Sequence, residues 1–504
     1  ADTIARCCPK KQQLLRFSPR RLLIFMKCGW TFPAERDRIP VKTERSFWSM
    51  DTLSKQRQIT EGVIWKQLLI FFFPILLGTF FQQMYNTVDT IIVGRLVGTE
   101  ALAAVGATGP LVNMVNGFFI GVSSGATVIL SQFYGAEDRQ GVSDAMHTGV
   151  ALSLLLGAVL TVLGVGLGGQ VLGLMNMPES CMADAVTYIR IYFAGSLGTV
   201  VYNMGAGILR AMGDSRRPML FLMATCVLNV ALDLLFVAVL HMGVAGAALA
   251  TILAQFISAA LPLVVLMRLP QDRLELKKLR LERSLMGRIL RIGVPAGLQF
   301  VTFDFSNILI QSGINSFGNV TMAAWTAHGK TDAMTWMISG AFGVSITTFV
   351  GQNFGAQKYR RIRRSAWICL GMSVALVGAV AAVLLTFRTQ ILGIYTDDPE
   401  VIAVGSFIML SIMPFNVVFM PIEVFAGTMR GVGNSLGPTL ITGTCVCLLR
   451  VVWLMTVVRR WHTLKMLPLS YPISWAIAAA VFLIVYFRGN WLSRRIAQCG
   501  MEPE

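Results

Sequence analysis

The sequence predicts an all-α polytopic membrane protein in which twelve transmembrane helices form two pseudo-symmetric six-helix bundles. The first observation is composition: 55% of the 504 residues are hydrophobic and 14% are charged, whereas a soluble domain carries about a quarter charged residues. The second is that apolar runs of roughly 20 residues recur, the length that crosses a hydrocarbon core of about 30 Å. The third is that motifs recur at one constant spacing, which indicates an internal repeat.

Apolar runs between polar breaks predict the twelve spans. They lie near 65–93, 103–131, 145–169, 186–209, 217–240, 244–268, 289–313, 321–350, 366–387, 402–427, 437–458 and 469–488. Basic residues collect in the loops after even-numbered spans, so the positive-inside rule predicts that both termini face the cytoplasm. The loop with Arg459, Arg460 and Lys465 is an exception to this pattern. We expect a multi-pass protein of the plasma (inner) membrane, with the lipid bilayer as its surroundings.

The net charge of +17 is attributed to membrane topology, because the basic residues alternate with apolar spans. A nucleic-acid partner is therefore not predicted. The nine cysteines show no metal-binding spacing and no disulfide framework.

Two motifs recur in the second half of the chain at one and the same offset. SQFYGA at 131–136 returns as GQNFGA at 351–356, and LRAMGDSRRP at 209–218 returns as MRGVGNSLGP at 429–438. Because each half contains an even number of spans, both halves enter the membrane from the same side and form parallel repeats. The predicted division is an N-lobe at 59–270, a cytoplasmic basic linker at 271–288, a C-lobe at 289–490 and a cytoplasmic tail at 491–504.

Residues 1–58 are predicted to be a basic N-terminal extension. Met50 is a more plausible start than Ala1, which leads to the hypothesis that the segment upstream of Met50 is not native. A basic membrane-surface segment and a transit peptide are the alternatives.

Several stretches resemble the multidrug and toxic compound extrusion family of transporters, bacterial type. They are FPILLGTFFQQMYNTVDTIIVGRLVGTEALAAVG at 73–106, GVAGAALAT at 243–251 and the two repeated motifs, and the likeness runs from about residue 59 to about 490. The resemblance implies antiport coupled to H⁺ or Na⁺, with export of amphipathic, often cationic drugs or toxins by alternating access. It also implies a cation or proton site at Asp89, Asn229, Asp233 and Thr251.

Helical spacing supports that site from the residues themselves. Gln82, Asn86 and Asp89 fall at i, i+4 and i+7, and Asn229 and Asp233 lie one turn apart, so each set shares a helix face. Two carboxylates in a poorly solvated site repel each other, and a proton or Na⁺ relieves the repulsion. The sequence does not choose between the two ions. The alternative for Asp89 is a structural cap at a neighbouring helix end.

Further candidates lie in both halves. Gln82, Asn86, Asn203, Asp304, Asn307, Gln311 and Glu423 are candidate cavity or substrate residues, Glu423 standing at the repeat position of Asn203. Pro74 is a candidate hinge, because proline removes a helix hydrogen bond, or else an irregularity accommodated by packing.

Three charged groups lie inside predicted spans of the second half. Lys330 and Asp332, with His328 nearby, are predicted to be internally paired structural charges. Arg450 could offset Glu423 or Asp304, or extend to an interface.

Two other classes of protein were considered. A flippase for lipid-linked oligosaccharides or peptidoglycan precursors should line its cavity with bases that meet pyrophosphate, whereas the first and fifth spans carry acids. An enzyme is not predicted, because no HExxH motif is present. No cofactor is expected beyond the coupling ion, no metal beyond Na⁺ at Asp89 and Asp233, and the protein is expected to be a monomer that binds small molecules.

Overall fold

The computed structural model describes residues 59–174 and 179–498, which all belong to one compact unit, Met50–Glu504. The predicted extension at 1–58 lies outside the described residues. Within them the chain is helical and contains no strand. The twelve long helices of this part are α1 (Ile64–Leu96), α2 (Thr99–Gly135), α3 (Arg139–Leu174), α4 (Glu179–Ala194 and Ser196–Ala211), α5 (Arg216–Val239), α6 (Gly243–Met267), α7 (Arg283–Asn315), α8 (Asn319–Gly355), α9 (Tyr359–Thr386), α10 (Pro399–Gly431), α11 (Leu436–Val458) and α12 (Met466–Arg488).

Ten of these helices are long and apolar enough to cross a membrane. The other two are α4 and α7. Helix α4 is interrupted at Gly195, so neither of its pieces reaches the length of a span. Helix α7 carries the polar side chains Gln299, Asp304 and Asn307, which lower its mean hydropathy. Both nevertheless occupy the positions of the fourth and seventh predicted spans.

The repeat is present in the backbone as well as in the sequence. Helices α2 and α8 begin and end at repeat-related positions. Residues with left-handed φ angles occur in the same register: Gly98 and Gly318 before these helices, Glu137 and Gln357 after them, and Gly213 and Gly433 after α4 and α10. Because a positive φ is uncommon for a non-glycine residue, the matched pair Glu137 and Gln357 shows that the two lobes repeat the same turn.

Helices α1 and α7 are each shared between the two lobes. The first half of α1 packs into the C-lobe core through Leu68 and Phe72, whereas Ile92 and Val93 near its other end belong to an N-lobe core. Helix α7 shows the reverse arrangement, with Leu285 and Ile289 in the N-lobe core, and Ile310 and Ile314 in a C-lobe cluster. Pro74 and Pro295 lie between the two halves of their helices. Movement of one lobe against the other must therefore pass through α1 and α7.

The lobes approach most closely along α2 and α7, where glycines replace side chains. A Cβ on Gly121 would overlap the backbone of Gly297, and one on Gly125 would overlap the backbone at Ile289 and Gly293. Small residues of this kind allow membrane helices to pack backbone against backbone. These contacts lie in the half of the bundle nearer the basic loops, here called the basic end. On the other half of α2, a Cβ on Gly106 would meet no atom of another described element within 4 Å.

Two repeat-related hydrogen bonds join the lobes at the basic end. Gln132 on α2 donates through Nε2 to the Gly431 carbonyl on α10 at 2.9 Å, and Gln352 on α8 donates to the Ala211 carbonyl on α4 at 2.7 Å. The two donors are repeat partners, and so are the two acceptors. The two bonds satisfy carbonyls at helix C-termini, which lack partners within their own helix, and they hold this end closed.

The linker is ordered and is shorter than predicted. Helix α7 begins at Arg283, within the predicted linker at 271–288, and a turn of 3₁₀ helix occupies Leu276–Lys278. His147 Nε2 accepts the Glu275 backbone N–H at 3.0 Å, which docks the linker on α3. The hydrogen bond from Lys278 lowers the pKa of the partly exposed Glu275 carboxyl. The predicted tail contains a short helix, Trp491–Gln498.

Candidate functional site

The four residues that the resemblance implies, here called the N-lobe set, are all buried. Asp89 on α1 is 7% exposed, Asn229 and Asp233 on α5 are 1% and 0% exposed, and Thr251 on α6 is 5% exposed. The carboxylates of Asp89 and Asp233 interact electrostatically. Helices α1, α5 and α6, which carry these residues, pack against one another.

The N-lobe set contains several buried polar atoms that have no hydrogen-bond partner among the described residues. They are Asp89 Oδ1, both carboxylate oxygens of Asp233, and Nδ2 and Oδ1 of Asn229. Thr251 bonds only within its own helix, to the Ala247 carbonyl at 3.0 Å. Buried polar groups are normally paired, and an unpaired group costs about 1–3 kcal/mol. A proton would satisfy a carboxylate oxygen, and a small cation would satisfy the oxygens of all three side chains, whereas Asn229 Nδ2 is a donor that needs an acceptor. The alternative of Asp89 as a helix cap is not supported, because no described group donates to it.

The helix that carries Asp233 changes its winding at that residue. Residues Leu234–Val239 of α5 form a π-helical segment directly after Asp233. Helix α11 has a π-helical segment, Leu454–Val458, at the repeat position. Such widened turns frequently accompany functional sites.

Two tyrosines beside Asp89, and a third that stacks on one of them, were not predicted from the sequence. Tyr85, one turn before Asp89, and Tyr188 both interact electrostatically with Asp89. Tyr192 stacks on Tyr188 with ring centroids 6.2 Å apart, and its hydroxyl accepts a hydrogen bond from Asn116 at 2.8 Å. The i, i+4 spacing of Tyr188 and Tyr192 was a usable signal, since it places both rings on one face of α4.

A cavity of about 550 Å³ lies between the lobes and contains part of the predicted substrate set. Asn203, Asn307 and Glu423 line it, together with His328, Asp332 and Arg450. Gln82, Asn86, Asp304 and Gln311 are not among its lining residues. Gln82, Asn86 and Gln311 are exposed elsewhere, and Gln311 donates to the Asn315 side chain at 3.0 Å. The volume lies within the range of small-molecule sites.

The C-lobe charges are arranged differently from the prediction. Asp332 is buried and accepts hydrogen bonds from Trp336 Nε1 at 2.8 Å and Asn416 Nδ2 at 2.7 Å. Lys330 is exposed and makes no ion pair with Asp332, so the predicted internal pairing is wrong. Residues two apart on a helix face different directions, which explains the difference.

Glu423 and Arg450 also have partners other than those proposed from the sequence. Glu423 Oε1 pairs with Arg430 Nη2 at 3.2 Å. Arg450 is 3% exposed, donates to Ser474 Oγ at 2.9 Å and lies over the Tyr471 ring. It forms no ion pair with Glu423 or Asp304, and its burial excludes extension to an interface.

One short segment matches a catalytic sequence motif but lies in a structural context where that motif does not act. Residues 121–125 read GVSSG, the letters of the GxSxG nucleophile motif. They lie in the middle of the continuous helix α2, whereas that motif acts at a strand-to-helix turn. The match therefore carries no catalytic meaning here.

Comparisons with known proteins agree with the two-lobed fold. The family model MatE matches residues 74–235 and again residues 295–456. The chain is 26% identical to "Probable multidrug resistance protein YoeA" of Bacillus subtilis, over 89% of this chain and 99% of that protein. It is 28% identical to "Probable multidrug resistance protein YpnP" of the same organism, over 88% and 99%.

The fold resembles solved transporter structures. A structure described as the outward-facing conformation of a multidrug resistance MATE family transporter superimposes with a TM-score of 0.81 at 23% identity, covering 87% of this chain and 99% of that one. A structure of "MATE in the bent conformation" gives 0.81 at 23% identity, over 88% and 99%. The family model matches both lobes, and the chain therefore belongs to the MatE family of multidrug and toxic compound extrusion transporters.

Proposed function

We propose that this protein is an antiporter coupled to H⁺ or Na⁺, exporting amphipathic, often cationic drugs or toxins by alternating access. The observation that carries the proposal is the pair of buried carboxylates, Asp89 and Asp233, on two helices of one lobe, with three oxygen atoms that no described group satisfies. Ionisable residues inside a membrane are costly and mark ion pathways. The relatives named as multidrug resistance proteins support an exporter, and none of them supports the flippase alternative.

Helix α1 provides the mechanical connection for coupling. Asp89 lies in its N-lobe half, whereas Phe72 in its other half stacks on Phe342 of α8 with ring centroids 4.1 Å apart. Pro74 stands just after Phe72 and lacks the backbone N–H that would bond to Ile70. Binding of a cation at Asp89 removes the repulsion with Asp233, and α1 then bends at Pro74. The bend moves the C-lobe contact relative to the N-lobe site.

The central cavity is the proposed substrate site. Trp336 and Phe419, which line the cavity with ring centroids 4.8 Å apart, offer aromatic faces to a cationic group. With the basic end placed in the cytoplasm by the positive-inside rule, closure by Gln132 and Gln352 corresponds to an outward-facing state. In this state substrate leaves to the outside and the coupling cation enters.

Efflux of preloaded ethidium from right-side-out membrane vesicles tests this proposal. Proton and sodium gradients are imposed separately, and wild type is compared with Asp89→Asn and Asp233→Asn. Each substitution keeps the side-chain size but removes the charge, so we expect at least a tenfold loss of gradient-driven efflux. Asp184→Asn is the matched control, because Asp184 is exposed on α4 and should retain wild-type efflux.

The same assay identifies the coupling ion, since one gradient alone should drive efflux. Full efflux in both Asp89→Asn and Asp233→Asn would contradict the coupling site. A Pro74→Ala variant with unchanged efflux would remove the hinge from the mechanism and leave the coupling site intact.

A further inference from the structure

The central cavity contains more positive charge than its carboxylates offset. Arg210, Arg430 and Arg450 line it, against Asp332 and Glu423. Within the described part of the chain, Arg430 is the one of the three that forms an ion pair, with Glu423 at 3.2 Å. The two remaining arginines are the features that the cation-export mechanism does not use.

Arg210 is left without an acid because of a difference between the repeats. Arg210 and Arg430 are repeat partners and stand at the same point of the two lobes. In the C-lobe the residue two turns earlier is Glu423, but in the N-lobe it is Asn203, whose Nδ2 donates to the Thr199 carbonyl of its own helix at 3.0 Å. Arg210 Nε is buried and has no hydrogen-bond partner. The N-lobe side of the cavity therefore keeps an uncompensated guanidinium.

Arg450 is held in place with one donor free. Its Nε donates to Ser474 Oγ, and its guanidinium lies 3.9 Å from the centroid of Tyr471 and 5.4 Å from that of Trp475. Its Nη2 is buried without a partner. Asp332, a candidate acid in the same cavity, already accepts bonds from Trp336 and Asn416, and no ion pair joins it to Arg450. A guanidinium that lines a cavity, is fixed by stacking and has no ion pair among the described residues is suited to an oxyanion.

We infer that the cavity binds the carboxylate of an aromatic organic acid, with Arg450 as the direct partner and Arg210 as a second positive charge. The aromatic body packs between Trp325, Trp336, Phe300 and Phe419 on the cavity wall. This inference rests on the proposed function only in taking the cavity as the substrate site. It extends the substrate class from cations to amphipathic acids and zwitterions.

Equilibrium binding to purified protein in detergent tests the inference without any ion gradient. Tritiated 1-naphthaleneacetate is compared with tritiated 1-naphthaleneacetamide, which has the same ring and a neutral amide in place of the carboxylate. Because charge-assisted hydrogen bonds are roughly twice as strong as neutral ones, we expect the acetate to bind wild type at least tenfold more tightly at pH 7. Equal affinity of the two ligands would overturn the inference.

Variants then locate the effect. Arg450→Gln should reduce the preference for the acetate to twofold or less while leaving the amide affinity unchanged, and Arg450→Lys should retain part of it. Arg210→Gln should lower the preference by a smaller factor, and it remains informative if Arg450→Gln does not fold. Arg216→Gln, an exposed residue outside the cavity, is the matched control. Equal loss of acetate and amide binding in Arg450→Gln would show a purely structural role and contradict the inference.

The two proposals fail separately. Loss of coupling in Asp89→Asn with the acetate preference intact would support both, because binding is measured without a gradient. A wild type that shows gradient-driven ethidium efflux but no acetate preference would retain the exporter and overturn the organic-acid site.

Discussion

Removing the two glutamine bonds between the lobes should open the basic end. Gln132 and Gln352 each donate across the lobe boundary, to Gly431 and Ala211. When the lobes separate, these bonds are broken in the wild type as well. Gln132→Ala and Gln352→Ala therefore remove a hydrogen bond from the closed state and leave the open state unchanged. The substitutions therefore destabilise one state of the conformational equilibrium selectively.

The expected size follows from the burial of these bonds. A net hydrogen bond contributes about 1 kcal/mol, and leaving a buried acceptor unsatisfied costs about 1–3 kcal/mol. One kcal/mol corresponds to roughly a fivefold change in an equilibrium constant, and two to about thirtyfold. Each single variant should thus shift the equilibrium toward the open basic end by at least about fivefold, and the double variant by at least about thirtyfold if the two bonds act independently.

Labelling of a buried cysteine measures this shift. Ser131 is fully buried and lies against Gly351 at the lobe boundary, so Ser131→Cys in a cysteine-free background reacts with a maleimide only when the basic end opens. The rate is measured on purified protein in detergent. Gln140→Ala is the matched control, since Gln140 bonds to Asp144 within α3 and not across the lobes. Labelling of both single variants within twofold of the parent rate would refute the argument.

Two further substitutions test the lobe boundary and the cavity. Gly121→Ala should lower the melting temperature of the detergent-solubilised protein, because its Cβ overlaps the Gly297 backbone and overpacking costs about 1–3 kcal/mol; Gly106→Ala, with open space around it, should melt like wild type. Glu423→Gln should release Arg430 from its ion pair and strengthen 1-naphthaleneacetate binding at least threefold in the same equilibrium assay, and unchanged affinity would show that Arg430 does not face the ligand.

The helices and their repeat were accessible to sequence reasoning, because hydropathy and motif spacing report directly on them. The second span was predicted at 103–131 and the helix runs Thr99–Gly135, extending a few residues past the apolar run at each end. The interruption of α4 at Gly195 was not predicted. A single glycine in an apolar run does not indicate a break, since membrane helices tolerate glycine.

The candidate site was only partly accessible. Helical period places Gln82, Asn86 and Asp89 on one stripe, but burial depends on which neighbouring helix covers each turn, and only Asp89 is buried. Arg450 could not be assigned a partner from sequence, because its contacts, Ser474 and Tyr471, come from α12 and involve no acid. Because both partners are neutral, no charged residue in the sequence identifies them as partners of Arg450.

The two lobes repeat their contacts but not their chemistry. Gln132 and Gln352 form a repeat-related pair of contacts, since closure of a pseudo-symmetric boundary needs matching groups on both sides. The acids do not: the repeat partner of Asp89 is Leu309, and that of Asp233 is Trp453. On the proposed function, cation binding is therefore confined to the N-lobe. The effect of cation binding must reach the shared cavity through a structural element that has two arrangements. Helix α1 carries Asp89 and is anchored in both lobe cores, on either side of Pro74. It is therefore the helix that can transmit the effect.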